Sequence, residues 1–172
     1  GVNTDTTPDS EKDFLYREID LHPILVSYVF ADPNFLCFAK TINSSSSTKE
    51  AKGSNFWAHP DIVGIRFPFH KDLRPETCNL MQAFETTLAS FYSFELKRGT
   101  TKSNIRAQFF QAVSNSSWAN EGYLVTHEMD KDDEDLIQEI RRLSNSFGIG
   151  VIQLNPKSVP DCTVISPSIR KN

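Results

Sequence analysis

A carboxylate and an ammonium group alternate with apolar residues in the segment Phe94-Glu95-Leu96-Lys97. If this segment is a strand, Glu95 and Lys97 project from one face, while Phe94 and Leu96 project from the other. The pattern predicts a polar site at the end of an apolar strand. A solvated surface ion pair, worth about 0 to 1 kcal/mol, is the alternative interpretation.

A second carboxylate, Asp61, lies in an otherwise apolar predicted strand, where burying it without a cation would be costly. If the strands of Asp61 and Glu95 are neighbours, their carboxylates and the Leu96 carbonyl supply the hard oxygen ligands that Mg²⁺ prefers. Mn²⁺ is a possible substitute. Lys97 would then face a metal-bound water. The surface ion pair alternative leaves Asp61 unexplained.

The spacing of apolar residues predicts the elements that must position these groups. Helices are expected over residues 12–30, kinked or split at Pro23, and over 77–93, 104–115 and 136–143, the last ending near Gly148. Strands are expected over 35–42, 56–67, 122–126 and 150–154, with one more ending at 92–97. This order is typical of an α/β fold with a mixed sheet.

The segment His59-Pro60-Asp61, followed later by Glu95-Leu96-Lys97, resembles the Pro-Asp and Glu-X-Lys halves of the motif of the PD-(D/E)XK nuclease superfamily. The resemblance covers residues 12–154. It implies a restriction endonuclease-like αβββαβ core with a central mixed sheet flanked by helices. Residues 57–125 are also similar to the C-terminal domain of bacterial HrgA-type proteins, which follows an N-terminal winged helix.

This resemblance implies a Mg²⁺-dependent, restriction-like endonuclease that hydrolyses DNA phosphodiester bonds. Glu18 and Gln111 fall where the family carries a Glu in the first helix and a Gln in the helix after the Lys. The implied catalytic set is Asp61, Glu95, Lys97, Glu18 and Gln111, and the implied metal ligands are Asp61, Glu95, Leu96 and Glu18. A repair or structure-specific nuclease and a non-catalytic DNA-binding module of the same fold remain alternatives.

Carboxamide side chains share one face of the helix after Lys97, namely those of Asn104, Gln108, Gln111 and Asn115. They could hydrogen-bond base edges, hydrogen-bond the active-site strand, or face solvent. Related nucleases often carry a Tyr four residues after the Gln, whereas Asn115 stands at that position in this chain.

Basic residues follow the Glu-X-Lys segment with no acidic residue between them. We predict that Arg98, Lys102 and Arg106 contact DNA phosphates, with His59 as a further contact. Arg106 lies in the first turn of its helix, where its charge opposes the helix dipole, so a bound anion would explain it. The alternative is a solvated arginine.

Length and composition limit the remaining possibilities. The 172 residues, 38% hydrophobic and 23% charged, suit one globular domain, predicted at 12–156 between an arm at 1–11 and an extension at 157–172. The net charge of -4 disfavours non-specific coating of nucleic acid, and no apolar run reaches the roughly 20 residues of a membrane helix. Three cysteines without CxxC spacing indicate a reducing, cytoplasmic compartment.

The predicted partner is DNA. Cutting both strands requires two active sites, which favours a homodimer. Because the chain begins at Gly1, a DNA-recognition domain could precede it in the full-length protein.

Overall fold

The computed structural model describes residues 16–42, 61–67 and 89–171, together with Glu76 and Asn79. Within these ranges six strands form one sheet in the order β1-β2-β3-β4-β5-β6. The strands are β1 (Phe38–Thr41), β2 (Ile62–Arg66), β3 (Ser90–Gly99), β4 (Glu121–Glu128), β5 (Gly150–Gln153) and β6 (Thr163–Ser166). The helices are α1 (Glu18–Ala31), α2 (Ile105–Asn115) and α3 (Glu134–Phe147), with a 3-10 turn at Val159–Asp161.

The sheet is mixed because its two parts are connected differently. β1, β2 and β3 are antiparallel neighbours, and so are β5 and β6. β3, β4 and β5 run parallel, and helices α2 and α3 connect them. The structure therefore confirms the predicted α/β class with a central mixed sheet.

Two apolar clusters cover opposite faces of this sheet. One joins Leu21 of α1 to Leu96 of β3 and Val125 of β4. The other joins Phe109 of α2 to Leu124 of β4 and includes residues of α3 and β5. Since Leu124 and Val125 are consecutive in a strand, their side chains point to opposite faces. Helix α1 thus packs on one face, and α2 and α3 pack on the other.

Strand β3 is flanked on both sides, and its side chains alternate as the sequence predicts. Phe94 and Leu96 are fully buried in the cluster beneath α1. Glu95 and Lys97 therefore project from the opposite face, where α2 lies. The two strand neighbours and the two helical layers fix where these polar groups stand.

Helix α1 differs from the expected one. It begins at Glu18 and continues through Pro23 as one helix, so the expectation of a split at Pro23 is wrong. Pro23 is exposed and near the helix start, where the missing N–H removes a single backbone hydrogen bond.

Two strand boundaries also differ from the expected ones. Leu36 has a φ of 46°, in the left-handed region, and β1 begins only at Phe38. β3 begins at Ser90, so the helix expected over 77–93 is wrong at its end, although Glu76 and Asn79 are helical. A short apolar run fits the periodicity of a helix as well as that of a strand, so the sequence did not distinguish them. The pairing of Ser90 with Arg66 of β2 makes this segment a strand. Residues 80–88 lie outside the described residues.

The segment expected as a C-terminal extension adds an edge strand to the sheet. β6 pairs with β5 through Val164 and Ile152. The backbone N–H of Lys171 then donates to the Asn120 carbonyl at 2.8 Å. Residues 163–171 therefore pack as part of the fold, whereas the arm expected at 1–11 lies outside the described residues. In the described part of the chain, no helix is both long and apolar enough to cross a bilayer.

Candidate active site

The register of β2 against β3 brings Asp61 next to the Glu-X-Lys segment. The last paired residues are Ile62 and Phe94, so one step further along the strands Asp61 stands opposite Glu95. Oδ2 of Asp61 accepts a hydrogen bond from the Leu96 backbone N–H at 2.8 Å. Because the N–H and C=O of one strand residue point to the same edge, the Leu96 carbonyl also faces the side on which Asp61 lies. The structure thus brings three of the predicted ligands together.

Glu95 is held by two partners and is 1% exposed. Lys97 Nζ lies 2.7 Å from Glu95 Oε1, and Asn115 Nδ2 donates to Glu95 Oε2 at 2.8 Å. The side chain of Lys97 is itself only 17% exposed. This pair therefore differs from the solvated surface ion pair that the sequence left as an alternative.

The carboxylates of this site carry more negative charge than the single ammonium group of Lys97 neutralises. Burial raises the pKa of Glu95, and the nearby charge of Asp61 raises it further. The hydrogen bonds and charge of Lys97, together with Asn115, oppose this shift in pKa without cancelling it. A divalent cation at this position would relieve the repulsion between the two carboxylates.

Glu18 reaches the same region from the first turn of α1. Neighbouring protein atoms displace water around its carboxyl group and raise its pKa, and the charge of Asp61 adds to this effect. The charge of Lys97 and the backbone N–H of Arg98 act in the opposite direction on that pKa. The charges of Asp61 and Lys97 therefore act on Glu18, which stays a predicted ligand of this site.

Three of the four predicted carboxamides, those of Asn104, Gln108 and Asn115, hydrogen-bond β3, which is one of the interpretations the sequence allows. Gln108 Nε2 donates to the Gly99 carbonyl at 2.9 Å, and Asn104 Nδ2 donates to the same oxygen at 3.3 Å. Gln108 Oε1 also accepts from Thr100 Oγ1 at 2.8 Å. Helix α2 is therefore fastened to the exit of β3 at one end and to Glu95 at the other.

Gln111 lies on this same face of α2, between Gln108 and Asn115. It is buried, and its carboxamide makes no hydrogen bond to the described residues. The helical spacing places it alongside the stretch of β3 that contains Lys97. Asn115, rather than Gln111, is the α2 residue that contacts a candidate ligand.

Three of the four predicted phosphate-binding residues are paired with acidic residues. The pairs are Arg98 with Glu128 at 3.1 Å, Lys102 with Asp133 at 3.3 Å and with Asp135, and Arg106 with Glu139 at 2.7 Å. The acidic partners come from β4 and from the start of α3, about 30 residues further along the chain. Counting charges between residues 97 and 106 therefore missed them. His59 lies outside the described residues.

A polar cavity of about 220 Å³ lies at the carboxyl ends of β4 and β5. Its side chains are used for internal contacts: His127 Nδ1 lies 3.3 Å from the Leu154 carbonyl, and Gln153 donates to the His127 carbonyl at 3.2 Å. Lys131 donates to Thr163 Oγ1 at 3.1 Å. We interpret the polar side chains that line this cavity as groups that hold neighbouring strands together.

The oxygen atoms at the end of β3 can be compared with the ligands that a magnesium ion takes. In the described ranges, no group of three or more His, Cys, Asp or Glu side chains is arranged to hold a metal, so Glu18 does not complete such a cluster with Asp61 and Glu95. Mg²⁺ sites commonly use one or two carboxylates and keep several waters. Asp61 and Glu95 supply two carboxylates and Leu96 supplies a carbonyl, so these three residues could hold such an ion.

This arrangement presents oxygen ligands and one ammonium group at a single strand end. Oxygen ligands suit a hard divalent cation, and the Lys97 ammonium suits an anionic substrate.

Comparisons with protein-family models, with curated proteins and with solved structures found no match to this chain.

Proposed function

We propose that this chain is a Mg²⁺-dependent endonuclease of the PD-(D/E)XK superfamily that hydrolyses DNA phosphodiester bonds in a restriction-like manner. The observation that carries the proposal is the hydrogen bond from the Leu96 N–H to Asp61 Oδ2. It holds a carboxylate from a neighbouring strand against the backbone between Glu95 and Lys97. That juxtaposition is what the Pro-Asp and Glu-X-Lys resemblance requires.

The order of elements supports the same proposal. Helix α1 is followed by β1, β2 and β3, then by α2 and β4, which agrees with the αβββαβ order implied by the resemblance. The site also stands at the carboxyl end of β3, a parallel strand of the sheet, where α/β folds commonly bind ligands.

Each site residue has a distinct expected task. Asp61, Glu95 and the Leu96 carbonyl would hold Mg²⁺, which when bound polarises a phosphate oxygen and offsets charge in the transition state. Lys97 would orient the attacking water and face the scissile phosphate. In the reaction, the water oxygen forms a bond to phosphorus, the bond to one ester oxygen breaks, and that oxygen takes up a proton.

DNA must compete with acidic side chains for the cations around the site. The side chains of Lys102 and Arg106 are 51% and 71% exposed, so phosphates can reach them. Each already forms an ion pair, Lys102 with Asp135 and Arg106 with Glu139. Exposed ion pairs of this kind are weak and exchange readily with other anions. We therefore expect the DNA affinity to depend strongly on salt concentration.

A plasmid cleavage assay tests the proposal. Purified chain is incubated with supercoiled DNA and Mg²⁺, with EDTA as one control and the variant Asp61→Asn as another. The carboxamide of that variant keeps an oxygen acceptor for the Leu96 N–H but lacks the charge, so inactivity would point to lost ligand charge. Asp132→Asn removes the same charge from an exposed residue and should cleave normally. DNA binding without any Mg²⁺-dependent cleavage would favour a non-catalytic module instead.

A further inference from the structure

We infer that Asn115 is a positioning residue that orients the Glu95 carboxylate for cation binding, an inference that rests on the proposed function. Asn115 is the last residue of α2 and is 1% exposed. Its Nδ2 donates to Glu95 Oε2 at 2.8 Å. Lys97 occupies the other oxygen, Oε1, so the two partners together fix the plane of the carboxylate.

The backbone at Asn115 is fastened to the same strand face. Ser93 Oγ donates to the Asn115 carbonyl at 3.2 Å. Ser93 and Glu95 are two residues apart in β3 and therefore project from the same face. The hydrogen bond from the Ser93 hydroxyl to the Asn115 carbonyl thus attaches the end of α2 to β3. The Asn115 carboxamide takes no part in that hydrogen bond and donates to Glu95 instead.

The orientation of the Asn115 carboxamide is unusual for a buried group. Its Oδ1 is buried and has no hydrogen-bond partner within the described part of the chain. Buried polar atoms are nearly always paired, so an unpaired one calls for an explanation. Turning the amide over would place Oδ1 against Glu95 Oε2, and two acceptors would then face each other. The observed orientation therefore pairs Nδ2 with Glu95 Oε2 and leaves Oδ1 unpaired.

This contact matters for a cation because of the geometry of Glu95. A carboxylate has about four lone-pair positions, so each oxygen that accepts one hydrogen bond retains a position for a metal. Without Asn115, Glu95 could rotate toward Lys97 and be neutralised by it. Partners that orient metal ligands typically contribute about 10- to 100-fold to metal affinity.

The test is calorimetric titration of the chain with Mn²⁺ in the absence of DNA, which measures the cation site without activity. The variants are Asn115→Ala and Asn115→Leu, the second of which fills the side-chain volume if the cavity left by Ala prevents folding. Gln108→Ala is the matched control, since it removes another carboxamide of α2 that holds β3 but does not touch Glu95. Melting temperature is recorded for every variant.

We expect both Asn115 variants to bind Mn²⁺ about 10- to 100-fold more weakly than wild type. The Gln108→Ala variant should melt earlier but keep its Mn²⁺ affinity. Wild-type affinity in a folded Asn115 variant would overturn this inference while leaving the proposed function intact. An equal loss in Gln108→Ala would also overturn it, because docking of α2 as a whole would then be responsible. Absence of Mn²⁺ binding by wild type would overturn both proposals.

Discussion

Oδ2 of Asp61 accepts a hydrogen bond from the backbone N–H of Leu96 at 2.8 Å, just beyond the last residue pair of β2 and β3. The carboxylate thereby takes the position that a strand partner would occupy in a longer ladder. Since Leu96 lies between Glu95 and Lys97, this contact holds the Asp61 carboxylate close to both of those residues.

Divalent cations should stabilise the folded chain. A ligand at 100 times its Kd adds about 2.7 kcal/mol of stability, which for a chain of this size raises Tm by roughly 5 to 10 °C. Thermal unfolding with and without Mg²⁺ measures the effect. In Asp61→Asn the rise should disappear, because one of the two ligand charges is lost. An unchanged rise in that variant would place the cation elsewhere.

Loss of Lys97 should stop chemistry and spare DNA binding. Lys97→Ala leaves both carboxylates in place, so we expect cleavage at least about 10²-fold slower with DNA affinity retained. Lys97→Arg should not rescue the rate, because a planar guanidinium on a longer side chain does not occupy the same point. Single-turnover cleavage at saturating protein is the measurement. Near-normal rates in Lys97→Ala would remove Lys97 from the mechanism.

Removing one of the two acidic partners of Lys102, Asp135, should strengthen DNA binding while Asp133 remains. In Asp135→Asn the ammonium no longer bonds a carboxylate at that position, so phosphates compete for it more easily. The control Asp132→Asn changes the net charge equally but removes no described ion pair with Lys102. Fluorescence anisotropy with a labelled duplex should show tighter binding only in Asp135→Asn. Equal gains in both variants would indicate a general charge effect.

Lys102→Ala should weaken binding to all DNA sequences alike. Removing one phosphate contact lowers the slope of log affinity against log salt by about 1. Arg98→Ala should act in the same direction, and base preference should survive in both variants. Affinities measured on several duplexes over a salt series test this. An altered sequence preference with an unchanged slope would mean that these residues contact bases.

The acid stability of the fold should depend on Glu139. Hydrogen bonds from Arg142 and Arg106 lower the pKa of Glu139 to about 2. In the unfolded chain this carboxyl group takes up its proton near its ordinary pKa of about 4.3. Between these two values the unfolded state binds more protons, so the stability from this group is complete above pH 5 and is lost as pH falls toward 2.

Melting temperatures of wild type and Glu139→Gln across pH 2 to 7 test this expectation. The advantage of wild type should be present at neutral pH and shrink through the acid range. A difference that stays constant with pH would show that the pairing with Arg106 and Arg142 does not act through ionisation.

Local patterns were sufficient for several features of the fold. The alternation around Glu95 and Lys97 placed them opposite Phe94 and Leu96, because successive strand residues point to opposite faces. The end of α3 near Gly148 was also predicted, whereas the helix begins at Glu134, before the expected 136. Asp133 accepts from the Leu136 N–H at 3.1 Å, and Gly148 adopts a φ of 73° just beyond the helix. Such signals act over a few residues and can therefore be read directly from the sequence.

Long-range packing decided the rest. The contact of Asp61 with Leu96 depends on the register of two strands, and that of Asn115 with Glu95 depends on how α2 lies against β3. The two acidic partners of Lys102 likewise come from the start of α3, far along the chain. Periodicity shows which face of its element a side chain occupies. It does not show which distant residue that side chain contacts, because such contacts depend on how the elements pack around the core. Residue types therefore indicated the chemistry available to this chain, while tertiary packing determined which carboxylates, amides and cations share one site.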